Sequence, residues 1–170
     1  SNYKAALAWK SKLLKIANKV SSPNEKIRLG YLCGEFRNHP TNHLIKNLFR
    51  FHDTSKFEIY IFSYNHDEAS RVSIENEVTE FVSLNDMDNI NASKSIADHN
   101  LDILIDLTII ISNNRQDIIR DRPAKTIISY LGYPGTSGSN IYDYIITDEI
   151  VTPIVQQKYY TEKFLYLPRS

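Results

Sequence analysis

Residues 27–44 read "IRLGYLCGEFRNHPTNHL", an apolar run that leads through a polar loop into a new segment beginning near Pro40. The run "IRLGYL" is rich in Ile, Leu and Tyr, which predicts a buried β-strand. Pro40 suits the first turn of a helix, where a missing N–H costs no hydrogen bond. A strand that passes into a helix in this way is the repeating unit of an α/β sheet.

The same alternation continues along the chain. Further apolar runs predict strands at "FEIYIFSY" (57–64), "FVSL" (81–84), "LDILIDL" (101–107), "TIISYLG" (126–132) and "DYIITD" (143–148). Segments with helical character lie between them, at "TNHLIKNLFRFH" (41–52), "RVSIENEVTEF" (71–81), "KSIADH" (94–99) and "RQDIIRD" (115–121). Apolar strands that alternate with helices are typical of a parallel sheet covered on both faces. We therefore predict an α/β fold with a doubly wound, mainly parallel sheet.

The composition narrows the range of partners. The 170 residues suffice for one domain with a sizeable core, and the 20 basic and 20 acidic residues cancel. Because no global field attracts polyanions, we expect neither a nucleic-acid nor a membrane partner. Cys33 is the single cysteine, which excludes an intramolecular disulfide and a cysteine-based zinc site. With no run near the roughly 20 apolar residues that span a bilayer, we expect a cytoplasmic protein.

The N-terminal residues form a separate unit in the sequence pattern. Residues 3–19 carry apolar side chains at helical spacing, which predicts an amphipathic helix: Ala6, Leu7, Trp9, Leu13, Leu14 and Ile16. The turn-forming stretch "VSSPNE" follows it. We therefore predict a linking helix at 1–22 and a main domain at 26–170, and we expect the chain to be a fragment of a longer protein.

Loops that follow strands are the expected ligand sites, because parallel sheets bind ligands beyond their carboxyl ends. The loop after "YLC" holds His39 and His43. Pro40 disfavours a helical conformation at His39, which leaves the imidazole outside the helix, able to transfer a proton or bind a sugar or phosphate. The alternative is that His39 caps the helix and His43 packs. We expect the remaining histidines to be solvated at the surface: His52, His66 and His99.

Two other loops hold candidates. Asp106 ends the apolar strand "LDILID", where a carboxylate is costly unless it is paired or faces a cleft; it is therefore either structural or part of a site. The stretch "YLGYPGTSGSN", Tyr130 to Asn140, contains three of the five glycines of the chain. Clustered glycine indicates positive φ or a close backbone approach, either to a ligand or within an ordinary connection between strands.

Two nucleotide-binding motifs and one serine-hydrolase motif are absent from the sequence. There is no GxGxxG after the first strand, no GxxxxGK[ST] and no GxSxG, which argues against dinucleotide, P-loop and serine-hydrolase chemistry. The residues alone leave glycosyl transfer, phosphate binding and peptide binding open.

Four stretches together resemble the catalytic region of O-linked N-acetylglucosamine transferases and SPINDLY-like proteins, glycosyltransferase family 41. They are "IRLGYLCGEFRNHPTNHL", "LDILIDL", "RPAKTIISYLGYPGTSG" and "DYIITDEIVTP…YTEKFLYLP", which occur in family order over most of residues 26–168. The resemblance implies the first, Rossmann-like lobe of a two-lobed GT-B enzyme. It also implies that 1–22 joins this lobe to tetratricopeptide repeats.

The resemblance implies roles for individual residues. His39 and Asp106 correspond to residues proposed for catalysis, and the glycine-rich loop lines the pocket for the transferred sugar. The implied substrate-binding residues are Leu131, Gly132, Pro134, Thr136 and His43. The implied enzyme is inverting and moves N-acetylglucosamine or a similar sugar from a nucleotide diphosphate, UDP above all, to Ser or Thr of a protein. No cofactor or metal is expected, and the nucleotide is held by a C-terminal lobe, without which we expect no turnover.

One stretch departs from the family. Family members have Asp-Leu-Asn-Gly, then His or Tyr, then Thr after the strand, whereas this chain has "DLTIIISNNR" from Asp106. Thr108 to Ile111 thus replace a small polar loop that contains glycine. Either the sugar donor differs, or this is a degenerate lobe that binds proteins or peptides without catalysis.

Overall fold

The computed structural model describes residues 26–109 and 114–167, so the predicted linking helix at 1–22 lies outside the described residues. The strands are β1 (Ile27–Cys33), β2 (Phe57–Ser63), β3 (Glu80–Ser83), β4 (Ile103–Asp106), β5 (Thr126–Ser129), β6 (Tyr144–Thr147) and β7 (Lys163–Tyr166). The α-helices are α1 (Pro40–Ile45), α2 (Glu68–Glu75) and α3 (Asn89–Asp98). Short 3₁₀ helices cover Phe49–Phe51, Gln116–Ile119 and Ile154–Tyr159. No helix in these ranges is long and apolar enough to cross a membrane.

The strands of the described residues form one seven-stranded sheet in the order β3-β2-β1-β4-β5-β6-β7. Every neighbouring pair is parallel, which confirms the predicted doubly wound α/β fold. The chain first builds outward from β1 to β3 and then returns to the other side of β1 with β4. This reversal between β1 and β4 is the switch point at which doubly wound sheets bind ligands.

Each face of the sheet packs against its own helices. One face carries Leu29, Tyr31, Ile61 and Ile105, which pack with Ile45 of α1, Phe49 and Ile74 of α2. The opposite face carries Leu32, Phe62, Leu104 and Ile127, which pack with Ala92 and Ile96 of α3 and with Ile118 and Ile119. Because both faces are covered, the central strands β4 and β5 are buried along their whole length rather than alternating, as the sequence pattern indicated.

Three of the predicted helical segments differ from the α-helices of the structure, whereas α3 extends further toward the N-terminus than the segment at 94–99. The segment at 41–52 divides into α1 and a 3₁₀ turn, and the segment at 115–121 is a 3₁₀ helix. In the segment at 71–81, α2 ends at Glu75 and the chain enters β3 at Glu80. Val78 and Thr79 lie between them, and their β-branched side chains favour extended backbone over helix.

Candidate active site at the carboxyl edge of the sheet

The sequence-predicted site residues lie at the carboxyl end of β4 and in the loops that follow β1 and β5. Asp106 is the last residue of β4, and it pairs in register with Leu32 of β1 and with Ser129 of β5. The switch point between β1 and β4 therefore has Asp106 on one side and the loop that carries His39 on the other. The glycine-rich loop follows β5 directly beside them.

His39 is the N-cap of α1. Its backbone is extended (φ −141°, ψ 146°), Pro40 opens the helix, and the His39 ring Nδ1 accepts a hydrogen bond from the Thr41 amide at 3.2 Å. Since Nδ1 is an acceptor, the neutral ring carries its proton on Nε2. The half-buried imidazole thus caps the helix with one nitrogen and leaves an N–H donor for a ligand on the other.

His43 lies one turn further along α1 and is exposed. Its Nε2 is 3.0 Å from the Asn38 side-chain oxygen, and its backbone amide donates to the His39 carbonyl at 3.1 Å. These contacts tie His43 to the start of the helix. The two histidines share one loop, and their described hydrogen bonds lie within residues 37–43.

Asp106 is buried with 3% of its surface exposed, and its carboxylate is fully engaged by its own chain. One oxygen accepts from the Thr108 amide at 2.9 Å and the Thr108 hydroxyl at 3.1 Å. The other oxygen accepts from the Tyr142 hydroxyl at 2.6 Å. Burial raises the pKa of Asp106, and the hydrogen bonds from Tyr142 and Thr108 oppose the rise. The geometry makes Asp106 an anchor for the backbone that follows β4.

The stretch that departs from the family turns inward where it is described. The Thr108 hydroxyl also lies 2.7 Å from the hydroxyl of Tyr64, and Ile109 is wholly buried in the second core cluster. The side chains of Thr108 and Ile109 are therefore packed inside the protein and do not face a ligand. Ile110 and Ile111 lie outside the described residues.

The near end of the glycine-rich loop packs closely on the end of β4. Gly132 lies so near that a Cβ there would stand 2.6 Å from the Leu107 carbonyl oxygen. Leu131 has φ +71°, the left-handed region that a leucine adopts only when the surroundings hold it there. The Tyr130 amide donates to the Asp106 carbonyl at 2.9 Å. The structure thus brings Leu131, Gly132 and Asp106 together.

The far end of the loop rests on Glu162, which has no solvent-exposed surface. Its carboxylate accepts hydrogen bonds from the Thr136 hydroxyl at 2.7 Å and from the Ser137 amide at 2.7 Å. Pro134 is exposed, and its carbonyl accepts from the Tyr160 hydroxyl at 3.3 Å. The Thr136 hydroxyl is therefore committed to Glu162.

The three histidines that we expected at the solvated surface are half-buried instead. The His52 ring is 2.8 Å from the Tyr31 hydroxyl, and burial lowers the pKa of His52 to about 4. His66 and His99 pack edge-on against Phe81 and Phe62. The prediction was wrong because a histidine ring at the end of a helix or strand can pack over the aromatic side chains beneath it.

The chain matches one known protein family over nearly its whole length. The family is glycosyl transferase family 41, whose sequence model matches residues 4–170. The chain belongs to glycosyltransferase family 41.

Relatives of this family 41 chain are much longer than it is. It is 36% identical over 158 residues to the UDP-N-acetylglucosamine--peptide N-acetylglucosaminyltransferase of Caenorhabditis elegans, which covers 91% of this chain and 14% of that protein. It is 34% identical over 146 residues to the probable UDP-N-acetylglucosamine--peptide N-acetylglucosaminyltransferase SEC of Arabidopsis thaliana, covering 85% of this chain and 15% of the relative. The chain spans about one-seventh of the length of these relatives.

A solved structure has the same fold. A mutant of the Thermobaculum terrenum O-GlcNAc transferase superposes with a TM-score of 0.81 at 24% sequence identity, over 87% of this chain and 29% of that one. The family 41 chain therefore has the fold of a Rossmann-like lobe from such a transferase.

Three residues that support this candidate site were indicated by no sequence pattern: Tyr64, Tyr142 and Glu162. Tyr142 stands 36 positions from Asp106, and Glu162 stands 26 positions from Thr136, so no local pattern joins them. The one available signal was Glu162 itself, an acidic residue just before the apolar run "FLYL". Within 26–109 and 114–167, no three His, Cys, Asp or Glu side chains group to hold a metal ion.

Proposed function

We propose that this lobe is part of an inverting glycosyltransferase that moves a sugar from a nucleotide diphosphate to Ser or Thr hydroxyls of proteins. N-acetylglucosamine linked to UDP is the donor we favour, because the relatives named above carry it in their names. The observation that carries the proposal is the His39 imidazole, whose Nε2–H is free of the helix at the switch point. Such a donor can orient a sugar or acceptor oxygen.

The proposed reaction forms a bond between the acceptor oxygen and the anomeric carbon, breaks the bond from that carbon to the diphosphate, and releases the hydroxyl proton together with the nucleotide diphosphate. In-line attack needs the acceptor and the sugar held in one geometry. We assign that task to the His39 ring and to the loop wall formed by Leu131, Gly132 and Pro134. Asp106 would act through the backbone it anchors, because its carboxylate oxygens are already hydrogen-bonded.

The remaining parts of the proposal concern the longer protein. A second lobe that holds the nucleotide would follow this one, and tetratricopeptide repeats would precede the linking helix. We propose no cofactor or metal and a cytoplasmic location, which suits the single, buried Cys33. Because a GT-B site forms between two lobes, we expect no sugar transfer by residues 1–170 alone.

Two substitutions at one position test the role of His39 in the full-length protein. His39→Asn keeps a side-chain acceptor for the Thr41 amide but loses the imidazole, whereas His39→Ala loses both. We expect both variants to lose sugar transfer about 100-fold, the usual contribution of a positioned proton-bearing group. Only the alanine variant should also lose about 1 kcal/mol of stability, the usual cost of removing an N-cap.

The measurement is transfer of radiolabelled N-acetylglucosamine from UDP to lysate proteins, with His66→Asn as the matched control. Full activity in His39→Asn beside low activity in His39→Ala would reduce His39 to a helix cap. The inward-turned Thr108 and Ile109 favour a second candidate, a non-catalytic lobe that binds peptides. Folded full-length protein that transfers no sugar from any nucleotide donor would support that candidate instead.

A further inference from the structure

Glu162 is a buried carboxylate immediately before β7, at the amino edge of the sheet, where it contacts the far end of the glycine-rich loop. It is wholly inaccessible to solvent, although the loop residues above it, Thr136 to Ser139, are half-buried or exposed. A buried carboxylate is costly unless several donors surround it. The groups that donate hydrogen bonds to Glu162 must therefore compensate for its burial.

The donors come almost entirely from the loop. One carboxylate oxygen accepts from the Ser137 amide at 2.7 Å and also from the Ser137 hydroxyl. The other accepts from the Thr136 hydroxyl at 2.7 Å and from the hydroxyl of the adjacent Thr161 at 3.1 Å. Burial raises the pKa of Glu162, but the hydrogen bonds from Ser137 and Thr136 outweigh it and leave the pKa below its ordinary value. The ionised form is thus the one that the loop stabilises.

The hydrogen bonds extend from Glu162 through the loop. The Thr136 hydroxyl oxygen accepts from the Gly138 amide at 3.1 Å, and the Ser137 hydroxyl oxygen accepts from the Ser139 amide at 3.1 Å. Gly138 itself has φ +64°, so the loop folds back on itself at this point. The Glu162 carboxylate therefore holds residues 136–139, either directly or through the hydroxyl groups that it binds.

We propose that Glu162 is a positioning residue that holds residues 136–139 and, through them, keeps the preceding residues Leu131, Gly132 and Pro134 in the conformation that binds the donor sugar. The proposal rests on the proposed function, since it assigns the loop to the sugar. The loop follows β5 beside the switch point, and its near end is already fixed where Gly132 meets the Leu107 carbonyl. Glu162 fixes the other end through Thr136 and Ser137, so the wall of Leu131, Gly132 and Pro134 lies between two fixed points.

The experiment uses the full-length protein with Glu162→Gln, an isosteric change that removes the charge. Glu149→Gln is the matched control, because Glu149 is an exposed glutamate that follows β6, at the opposite edge of the sheet from Glu162. If the binding conformation falls to about one-tenth of the population, the dissociation constant of UDP-N-acetylglucosamine rises about tenfold. Calorimetric titration measures that constant. We expect kcat to stay within about twofold, because loop ordering acts on donor binding rather than on the reacting atoms.

Hydrogen exchange of the loop amides supplies a readout that needs no activity. In Glu162→Gln the amides of Ser137, Gly138 and Ser139 should exchange about tenfold faster, while those of β1 keep their protection. Should exchange also rise throughout β1, the variant is unfolding globally. Ser137→Ala then carries the test, because it removes one donor and keeps the carboxylate, and it should produce smaller changes of the same kind.

The outcomes separate this proposal from the proposed function. Unchanged exchange at Ser137 to Ser139 in Glu162→Gln would overturn the anchoring role. Faster exchange with an unchanged donor affinity would overturn the link between this loop and the sugar, while the wild-type protein still transferred it. A wild-type protein that neither binds nor transfers any nucleotide sugar would overturn both.

Discussion

The two ends of the glycine-rich loop are each supported by a buried carboxylate, yet the two carboxylates differ in pKa. Asp106 lies at the near end, inside the core, and burial holds its pKa above the ordinary range. Glu162 lies at the far end, under a thin layer of loop residues, and its hydrogen bonds hold its pKa below that range. Both carboxylates are shielded from solvent, but desolvation outweighs the hydrogen bonds at Asp106, whereas the hydrogen bonds outweigh desolvation at Glu162. The balance between desolvation and the surrounding donors decides the sign.

The mechanical consequences also differ. The near end is rigid because backbone packs on backbone, as the contact of Gly132 with Leu107 requires. The far end is held by side-chain hydrogen bonds to Glu162, which can open one at a time. We expect substitutions at the near end to cost global stability and those at the far end to change local order.

Removing the Tyr142 hydroxyl should have the largest effect. Tyr142→Phe leaves one oxygen of the buried Asp106 carboxylate without its 2.6 Å hydrogen bond. A buried charged acceptor that loses its donor costs about 3 kcal/mol. Urea unfolding of the 170-residue chain, followed by circular dichroism, measures the loss. Tyr144→Phe, at a half-buried tyrosine two positions on, is the control, and equal losses in both variants would contradict the role of the hydroxyl.

The next effect is expected at Gly132. A methyl group there meets the Leu107 carbonyl oxygen at 2.6 Å, so Gly132→Ala must displace backbone, at a cost of about 2 kcal/mol. Gly138→Ala, at the far end, meets no atom within 4 Å but keeps a left-handed backbone, which costs about 1 kcal/mol. The same unfolding measurement compares them. If Gly138→Ala lost more unfolding free energy than Gly132→Ala, the far end of the loop would be the more rigid one, contrary to our description.

The smallest effects concern the pH dependence of stability and have opposite signs at the two carboxylates. The lowered pKa of Glu162 gives stability that is present above its ordinary pKa and lost as the pH falls below about 5. Relative to Glu162→Gln, the wild-type chain should therefore lose stability on acidification. The raised pKa of Asp106 has the reverse consequence, because the folded chain binds the proton more tightly than the unfolded chain.

Relative to Asp106→Asn, the wild-type chain should thus lose stability as the pH rises from about 4 towards neutrality. Urea unfolding of the wild-type, Glu162→Gln and Asp106→Asn chains at pH values from about 4 to neutrality gives the change of stability with pH at each position. Slopes of the same sign for the two positions would show that the environments of the carboxylates do not differ as described.

Local rules predicted the parts of the site that are local. Pro40 fixed the extended backbone of His39 and the start of α1, as expected from the residue before a proline. The glycines were assigned to positive φ or close approach, and Gly138 and Gly132 have these features respectively. The positive φ at Leu131 was not foreseen, because it is imposed by neighbours rather than by the residue itself.

The sequence by itself determined the alternation of strands and helices, the loops that reach the carboxyl edge, and the position of His39. These depend on periodicity and on neighbouring residues, which a linear pattern contains. Only the tertiary structure decided that Asp106 binds Tyr142 and that Glu162 binds Thr136 and Ser137. A buried carboxylate can be held by any donor that the fold brings within about 3 Å, and that choice belongs to packing in three dimensions.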